Sequence, residues 1–210
     1  MRIPARKLRK STVKNIVRFP AIKSNGGKSI LVESILESKF CLLLEFSPEV
    51  TEYFPQPKTF QVPFLDTDEV STYTPDFEVL LQNGQRTYVE VKPSKFAERD
   101  EFSELFSRFK VMLEGSDINF IVVSEEEILR EPRKTNFEKL YRYKKVKIDP
   151  SVFYEIASKS PIPLSISFLL KKYPEKLSIK DVYAGIAKGY LQFEFDEDFL
   201  DINTEVTFNV

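Results

Sequence analysis

Apolar residues along this chain switch between two periods. From residue 29 to 46, Ile30, Leu31, Ile35, Leu36, Phe40, Leu43 and Leu44 recur at helical spacing, and Ser29 stands where an N-cap belongs. Residues 50–56 and 58–64 read as short strands, bent or pushed to a sheet edge by Pro55, Pro57 and Pro63. An acidic loop over 65–71 follows. Residues 73–93 hold two runs rich in β-branched and aromatic side chains on either side of Asn83-Gly84, the pattern of a β-hairpin opened by Pro75 and closed by Pro93. Helical spacing returns over 97–113 through Phe102, Leu105, Phe106, Phe109 and Leu113. The nearly all-apolar run 118–123 predicts a strand covered on both faces, and 125–145 predicts one or two helices. The order predicts a mixed α/β core.

The hairpin's parity follows from burial. A two-residue loop at Asn83-Gly84 mixes charged and apolar groups on each face. A three-residue loop, Asn83 to Gln85, sets Phe77 against Val91, Val79 against Val89, Asp76 against Lys92 and Glu78 against Glu90. One face is then apolar, and the other carries Asp76, Glu78, Glu90 and Lys92. A one-residue slip would turn every side chain to the opposite face, so an odd loop is expected.

Beyond Lys147 the composition changes. Residues 149–158 and 164–173 predict short helices, and Ser178 caps a third that runs to Lys188 and ends at Gly189. Residues 190–195 and 205–208 predict a small β-wing. Three helices and a wing predict a winged-helix-like domain. Its wing holds Glu194, Asp196, Glu197, Asp198 and Asp201 with no base nearby in the sequence, which favours a protein partner over DNA. The expected organisation is a basic arm over 1–28, a core over 29–146 and this small domain over 147–210.

Charge sharpens the picture. Residues 1–28 hold nine Lys or Arg and no acid, leaving 22 basic and 32 acidic residues in the remainder. Such an arm, with Arg2, Arg6, Lys7, Arg9, Lys10, Lys14 and Arg18, suits a polyanion; a solvated terminus is the plainer reading. A short ordered piece is expected over 14–19. Gly27-Lys28-Ser29 lacks the upstream glycine of a phosphate-binding loop, since Ile22 stands there, so no ATPase is expected. The chain has no histidine, which excludes His-based zinc sites and Ser-His-Asp triads. The single Cys41 excludes an internal disulfide and suits a reducing compartment. With no membrane-spanning run and no apolar signal segment, a cytoplasmic protein is expected.

Chemistry must therefore rest on carboxylates, Lys, Tyr or water. Asp76, Glu90 and the Val91 carbonyl form an oxygen donor set suited to Mg²⁺ or Mn²⁺. Lys92, on the same face as Glu90, can touch a phosphate or position a water. Glu37, four residues from Glu33, points toward that ion in the functional reading and toward solvent in the plain one.

Taken together, Glu37 in a helix, Thr74-Pro75-Asp76-Phe77 and Val89-Glu90-Val91-Lys92-Pro93 resemble the PD-(D/E)xK nuclease superfamily. With Leu36-Glu37-Ser38-Lys39-Phe40, Leu42-Leu43-Leu44-Glu45-Phe46-Ser47-Pro48 and Tyr53-Phe54-Pro55-Gln56-Pro57, the chain looks like TnsA, the endonuclease subunit of heteromeric transposases. The resemblance implies a restriction-endonuclease-like mixed sheet flanked by helices, with a small C-terminal winged-helix-like domain. It implies Mg²⁺-dependent cleavage at transposon 5′ ends, a TnsB-like DDE transposase partner, and a TnsC-like AAA+ regulator bound through the C-terminal domain. Asp76, Glu90 and Glu37 would hold the metal and Lys92 would be the catalytic lysine. A stand-alone nuclease of the superfamily and a non-catalytic DNA-tethering adaptor are the competing readings.

Overall fold

The computed structural model describes residues 4–5, 15–64, 67–159 and 162–209. Val17–Phe19 (β1) and Ile30–Val32 (β2) pair antiparallel, with Arg18 across from Leu31. This corrects the helix expected from Ser29. Ile30 and Val32 are buried and Leu31 is exposed, which is strand alternation. The helix begins at Ile35 (α1, Ile35–Phe46), where Ser34 Oγ accepts from the Glu37 N–H at 3.0 Å. Ser34-x-x-Glu37 is a capping-box sequence, and Ser29 has no such partner three residues on.

Val50–Pro55 (β3) leads into a two-stranded ribbon, Phe60–Pro63 (β4) and Val70–Tyr73 (β5), and then the hairpin Phe77–Leu81 (β6) and Arg86–Val91 (β7). Ser94–Ala97 (α2) and Asp100–Leu113 (α3) cross over to Ile118–Val123 (β8), and Glu125–Ile128 (α4) follows. The main sheet runs β3-β6-β7-β8, with β8 parallel to β7 and the other pairs antiparallel. A parallel neighbour needs a crossover of this length, and α3 supplies most of it. β5 was not expected; it falls within the stretch that reads as acidic loop and hairpin start.

Each face of the hairpin has its own cover. Phe77 meets Phe40 of α1 at 5.3 Å between ring centroids, and Tyr53 at 6.2 Å. Tyr88, on the other face, joins Tyr73, Phe106, Phe109 and Phe120 in an aromatic cluster between sheet, ribbon and α3. Burial of such large rings supplies most of the driving force for this packing. Strand β8 differs from expectation: only Phe120 is buried along it, and Ile121 is 46% exposed. An apolar run cannot by itself reveal that its strand lies at the edge of its sheet.

The chain divides into two compact units, Met1–Leu129 and Arg130–Val210. The division falls upstream of Lys147 because Arg133–Tyr141 (α5) is bound into the second unit. Asn136 of α5 donates to the Phe195 and Asp198 carbonyls and accepts from the Leu200 N–H. The unit continues with Pro150–Lys159 (α6), Leu164–Ser165 (β9), Ile166–Lys172 (α7), Ile179–Lys188 (α8), Leu191–Gln192 (β10) and Glu205–Phe208 (β11), in a sheet of order β10-β11-β9. Ser178 and Asp181 form the capping box of α8, and Gly189, at φ 83°, ends it. The acidic segment does have bases beside it. Arg130 and Arg133 bring Nε to 3.6 and 3.5 Å from Asp196, a pairing across more than sixty residues that local sequence does not reveal.

Gly185 of α8 faces Phe153, and a Cβ there would sit 2.6 Å from the ring. Phe153 is fully buried and stacks on Tyr190, so it has little room to retreat. Gly185→Ala is expected to cost about 1–3 kcal/mol by overpacking, despite the helix preference for Ala. Chemical denaturation monitored by circular dichroism checks this.

Candidate active site

The hairpin loop has three residues, but they are Gln82, Asn83 and Gly84. The Leu81 N–H donates to the Gln85 carbonyl at 2.9 Å, Gly84 takes φ 83°, and Asn83 Oδ1 accepts from the Gln85 N–H. A three-residue loop needs the left-handed conformation at its last position, and Gly84 takes it at no steric cost. The parity is the one burial requires, while the register shifts by two residues. Phe77 faces Val89, and Glu78 faces Tyr88 in place of Glu90. This register takes Glu78 away from Glu90, and Arg86 Nη1 lies 3.6 Å from Glu78 Oε1. One step further along this register, Asp76 comes opposite Glu90 and not Lys92.

That step builds the site. Asp76 Oδ2 accepts from the Val91 N–H at 2.9 Å, which ties the first strand's carboxylate to the second strand's end. The Asp76 carbonyl accepts from the Gln56 N–H at 2.8 Å. Glu90 is buried and accepts from the Tyr73 hydroxyl at 2.8 Å. Lys92 Nζ lies 3.7 Å from Glu90 Oε1 and 3.5 Å from the centroid of the Phe102 ring. These groups line a cleft of about 860 Å³, together with Glu37 and Glu33.

The electrostatics are strained toward neutrality. Burial raises the Asp76 carboxyl well above the usual range, and Glu90 and Glu37 add to the rise. Burial raises Glu90 as well, against the opposing hydrogen bond from Tyr73 and the charge of Lys92. Burial and the neighbouring Glu90 keep the Tyr73 hydroxyl protonated, so it remains a donor. Two buried carboxyls pushed toward their neutral form, one of them tethered by the Val91 N–H, form a set that a hard divalent cation would suit. As the side chains stand, no group of three or more Asp, Glu, His or Cys among the described residues is close enough to ligate one ion. Glu37, Asp76 and Glu90 are thus not gathered closely enough to share one ion, and a cation held by Asp76 and Glu90 would have to complete its shell with water.

Glu37 reaches the cleft with both oxygens engaged. Oε2 accepts from the Glu33 N–H at 3.0 Å and Oε1 from the Ser34 hydroxyl at 2.9 Å. Glu33 precedes the helix, so the like-charge pair along one helix edge does not form. Glu37→Ala should cost about 1 kcal/mol through the lost cap, and Glu37→Gln distinctly less, as thermal melts would show. Of the basic residues expected to bind a polyanion, Arg18 is exposed on β1, and Arg2, Arg6, Lys7, Arg9, Lys10 and Lys14 lie outside the described residues. The Ala5 N–H donates to the Gln56 carbonyl at 2.9 Å. Tyr73 and Phe102 escaped the sequence reading because one sits on an unpredicted strand and the other looks like any core position of its helix.

The central hairpin of the mixed sheet thus sets Asp76, at the start of one strand, and Glu90 and Lys92, at the end of the next, along one cleft. Residues 47–125 match the family model described as TnsA-like endonuclease N terminal, so the chain carries a TnsA-like endonuclease domain over this segment. The match spans under half of the chain. It includes Asp76, Glu90, Val91 and Lys92 and leaves out Glu37 and the second unit. No curated protein matches the chain. No helix among the described residues is long and apolar enough to cross a membrane.

Proposed function

We propose that this protein is the metal-dependent endonuclease subunit of a heteromeric transposase and cuts the phosphodiester at transposon 5′ ends. The observation that carries the reading is the coincidence of the TnsA-like segment with the Asp76, Glu90 and Lys92 cleft. In this reading Asp76, Glu90 and the Val91 carbonyl hold Mg²⁺ or Mn²⁺, and Glu37 supports them from the start of α1. The metal, when bound, supplies a Lewis acid for the phosphate and an acidified water.

The chain's own residues have distinct tasks. Tyr73 donates to Glu90 and leaves its other oxygen toward Lys92. The Val91 N–H aims Asp76. Lys92 presents an ammonium to the phosphate and orients the attacking water. The basic arm holds the DNA backbone, and the bond from Ala5 to Gln56 keeps its start near the strand end beside Asp76. The second unit, whose helices, short strands and wing follow a winged-helix-like order, docks the protein partners: a TnsC-like AAA+ regulator here, with a TnsB-like DDE transposase cutting the opposite strand.

Phe102 positions Lys92 through its ring face. Phe102→Leu should slow cleavage about tenfold by loosening the ammonium, whereas Phe102→Tyr should restore it. Rescue by the aromatic separates positioning from packing. The reading as a whole is tested with end-labelled transposon-end DNA, with and without the partner transposase, in Mg²⁺ and in chelator. Cleavage at the 5′ ends that needs both Mg²⁺ and the transposase is expected. Cutting without the transposase would mark a stand-alone nuclease, and no cutting under any condition would leave an adaptor.

A further inference from the structure

The cleft poses an electrostatic problem for a polyanion. Its lining carries Glu33, Glu37, Asp76, Glu90 and Glu101, against Lys92 and Arg99. Lys92 is already held between Glu90 and the Phe102 ring. Arg99 is exposed at the lip and makes no ion pair among the described residues. Its guanidinium lies 4.5 Å from the centroid of Phe96, and the exposed Lys95 brings Nζ to 5.0 Å from the same ring.

We propose that Lys95 and Arg99, gathered on Phe96, grip a backbone phosphate of the strand that enters the cleft beside Lys92. This rests on the nuclease reading for the identity of the polyanion. Two cations on one half-exposed aromatic ring match the chemistry of a nucleic-acid strand: charge for its phosphates and a flat face for its sugars or bases. The ring attracts both cations and offsets their mutual repulsion until a phosphate arrives.

The grip is built at a fixed distance from the candidate chemistry. It follows Lys92 in the chain after Pro93 and Ser94. The Phe96 N–H bonds to the Pro93 carbonyl at 2.8 Å, and Ser94 is fastened by its N–H and hydroxyl to Glu125 Oε2 at 2.7 and 3.1 Å. α2, which carries Lys95 and Phe96, is thereby tied back to the first residue of α4.

The test is fluorescence anisotropy of duplex DNA against salt, without divalent metal, for the wild-type chain, the K95Q/R99Q double variant and K110Q. Lys110 is exposed on α3 and does not line the cleft, so it controls for diffuse charge. Each lost phosphate contact lowers the slope of log Kd against log salt by about 0.9 on duplex DNA. The double variant should lose about 0.9 from the slope, the one phosphate gripped, while K110Q keeps the wild-type value. An unchanged slope in K95Q/R99Q, or an equal loss in K110Q, overturns the proposal. If the slope changes as expected but the wild-type protein never cuts DNA, the grip stands and the nuclease reading falls. If the wild-type protein does not bind DNA, both fall.

Discussion

Asp76→Asn should abolish strand cleavage and, in the same protein, raise the melting temperature measured without metal. The loss follows from the role proposed for Asp76; removing a metal-binding carboxylate should slow hydrolysis at least about a thousandfold. The gain follows from its surroundings. Burial, Glu90 and Glu37 all push the carboxyl up, so the folded protein holds this proton more tightly than the unfolded chain does. Between the unfolded value, about 3.9, and the raised folded value, the folded state binds more protons, and stability falls as pH rises. Asparagine removes that dependence and keeps an oxygen for the Val91 N–H. A gain of about 1–2 kcal/mol at pH 8 corresponds to roughly 2–8 °C for a protein of this size. Mg²⁺ should raise the wild-type melting temperature and leave that of Asp76→Asn nearly unchanged. Differential scanning calorimetry across pH 5 to 9, with and without Mg²⁺, checks both halves. A variant less stable than wild type throughout would contradict the electrostatic account.

Lys92→Ala should lose cleavage comparably, by roughly a hundred- to ten-thousandfold, with the opposite effect on stability. The ammonium beside Glu90 is among the groups that lower its carboxyl. Without it Glu90 rises further, so the pH dependence steepens and the metal-free protein is weakened by about 1–2 kcal/mol at neutral pH. Lys92→Arg separates the two roles. It keeps a positive charge near Glu90, and with it most of the stability. It replaces a compact ammonium by a planar fork that does not reproduce the contact with Phe102 and water, so cleavage stays low. Single-turnover cleavage and melts on the same preparations decide this. Lys92→Ala that cuts normally removes Lys92 from the chemistry.

Much of the site was legible because the signals are local. The hairpin's odd loop follows from keeping Phe77, Val79, Val89 and Val91 on one face, and that choice alone puts Asp76, Glu90 and Lys92 on the other. Ser178, Asp181 and Gly189 mark the ends of α8 within a few residues of where they act. The exact pairing was less legible: registers two residues apart share the same faces, and only the conformation of Gly84 chooses between them.

The sequence by itself determined the mixed α/β character, the face on which the charged residues gather and the absence of histidine chemistry. Each is set by side-chain period or composition, which a short window contains in full. Only the tertiary structure decided that Ile30–Val32 is a strand, because β1 is there to pair with it. It alone brought Tyr73 to Glu90, Phe102 to Lys92, and Arg130 and Arg133 to Asp196. Those partners meet through strand pairing and helix packing across long stretches of chain, and no short-range pattern encodes where a distant side chain will come to rest.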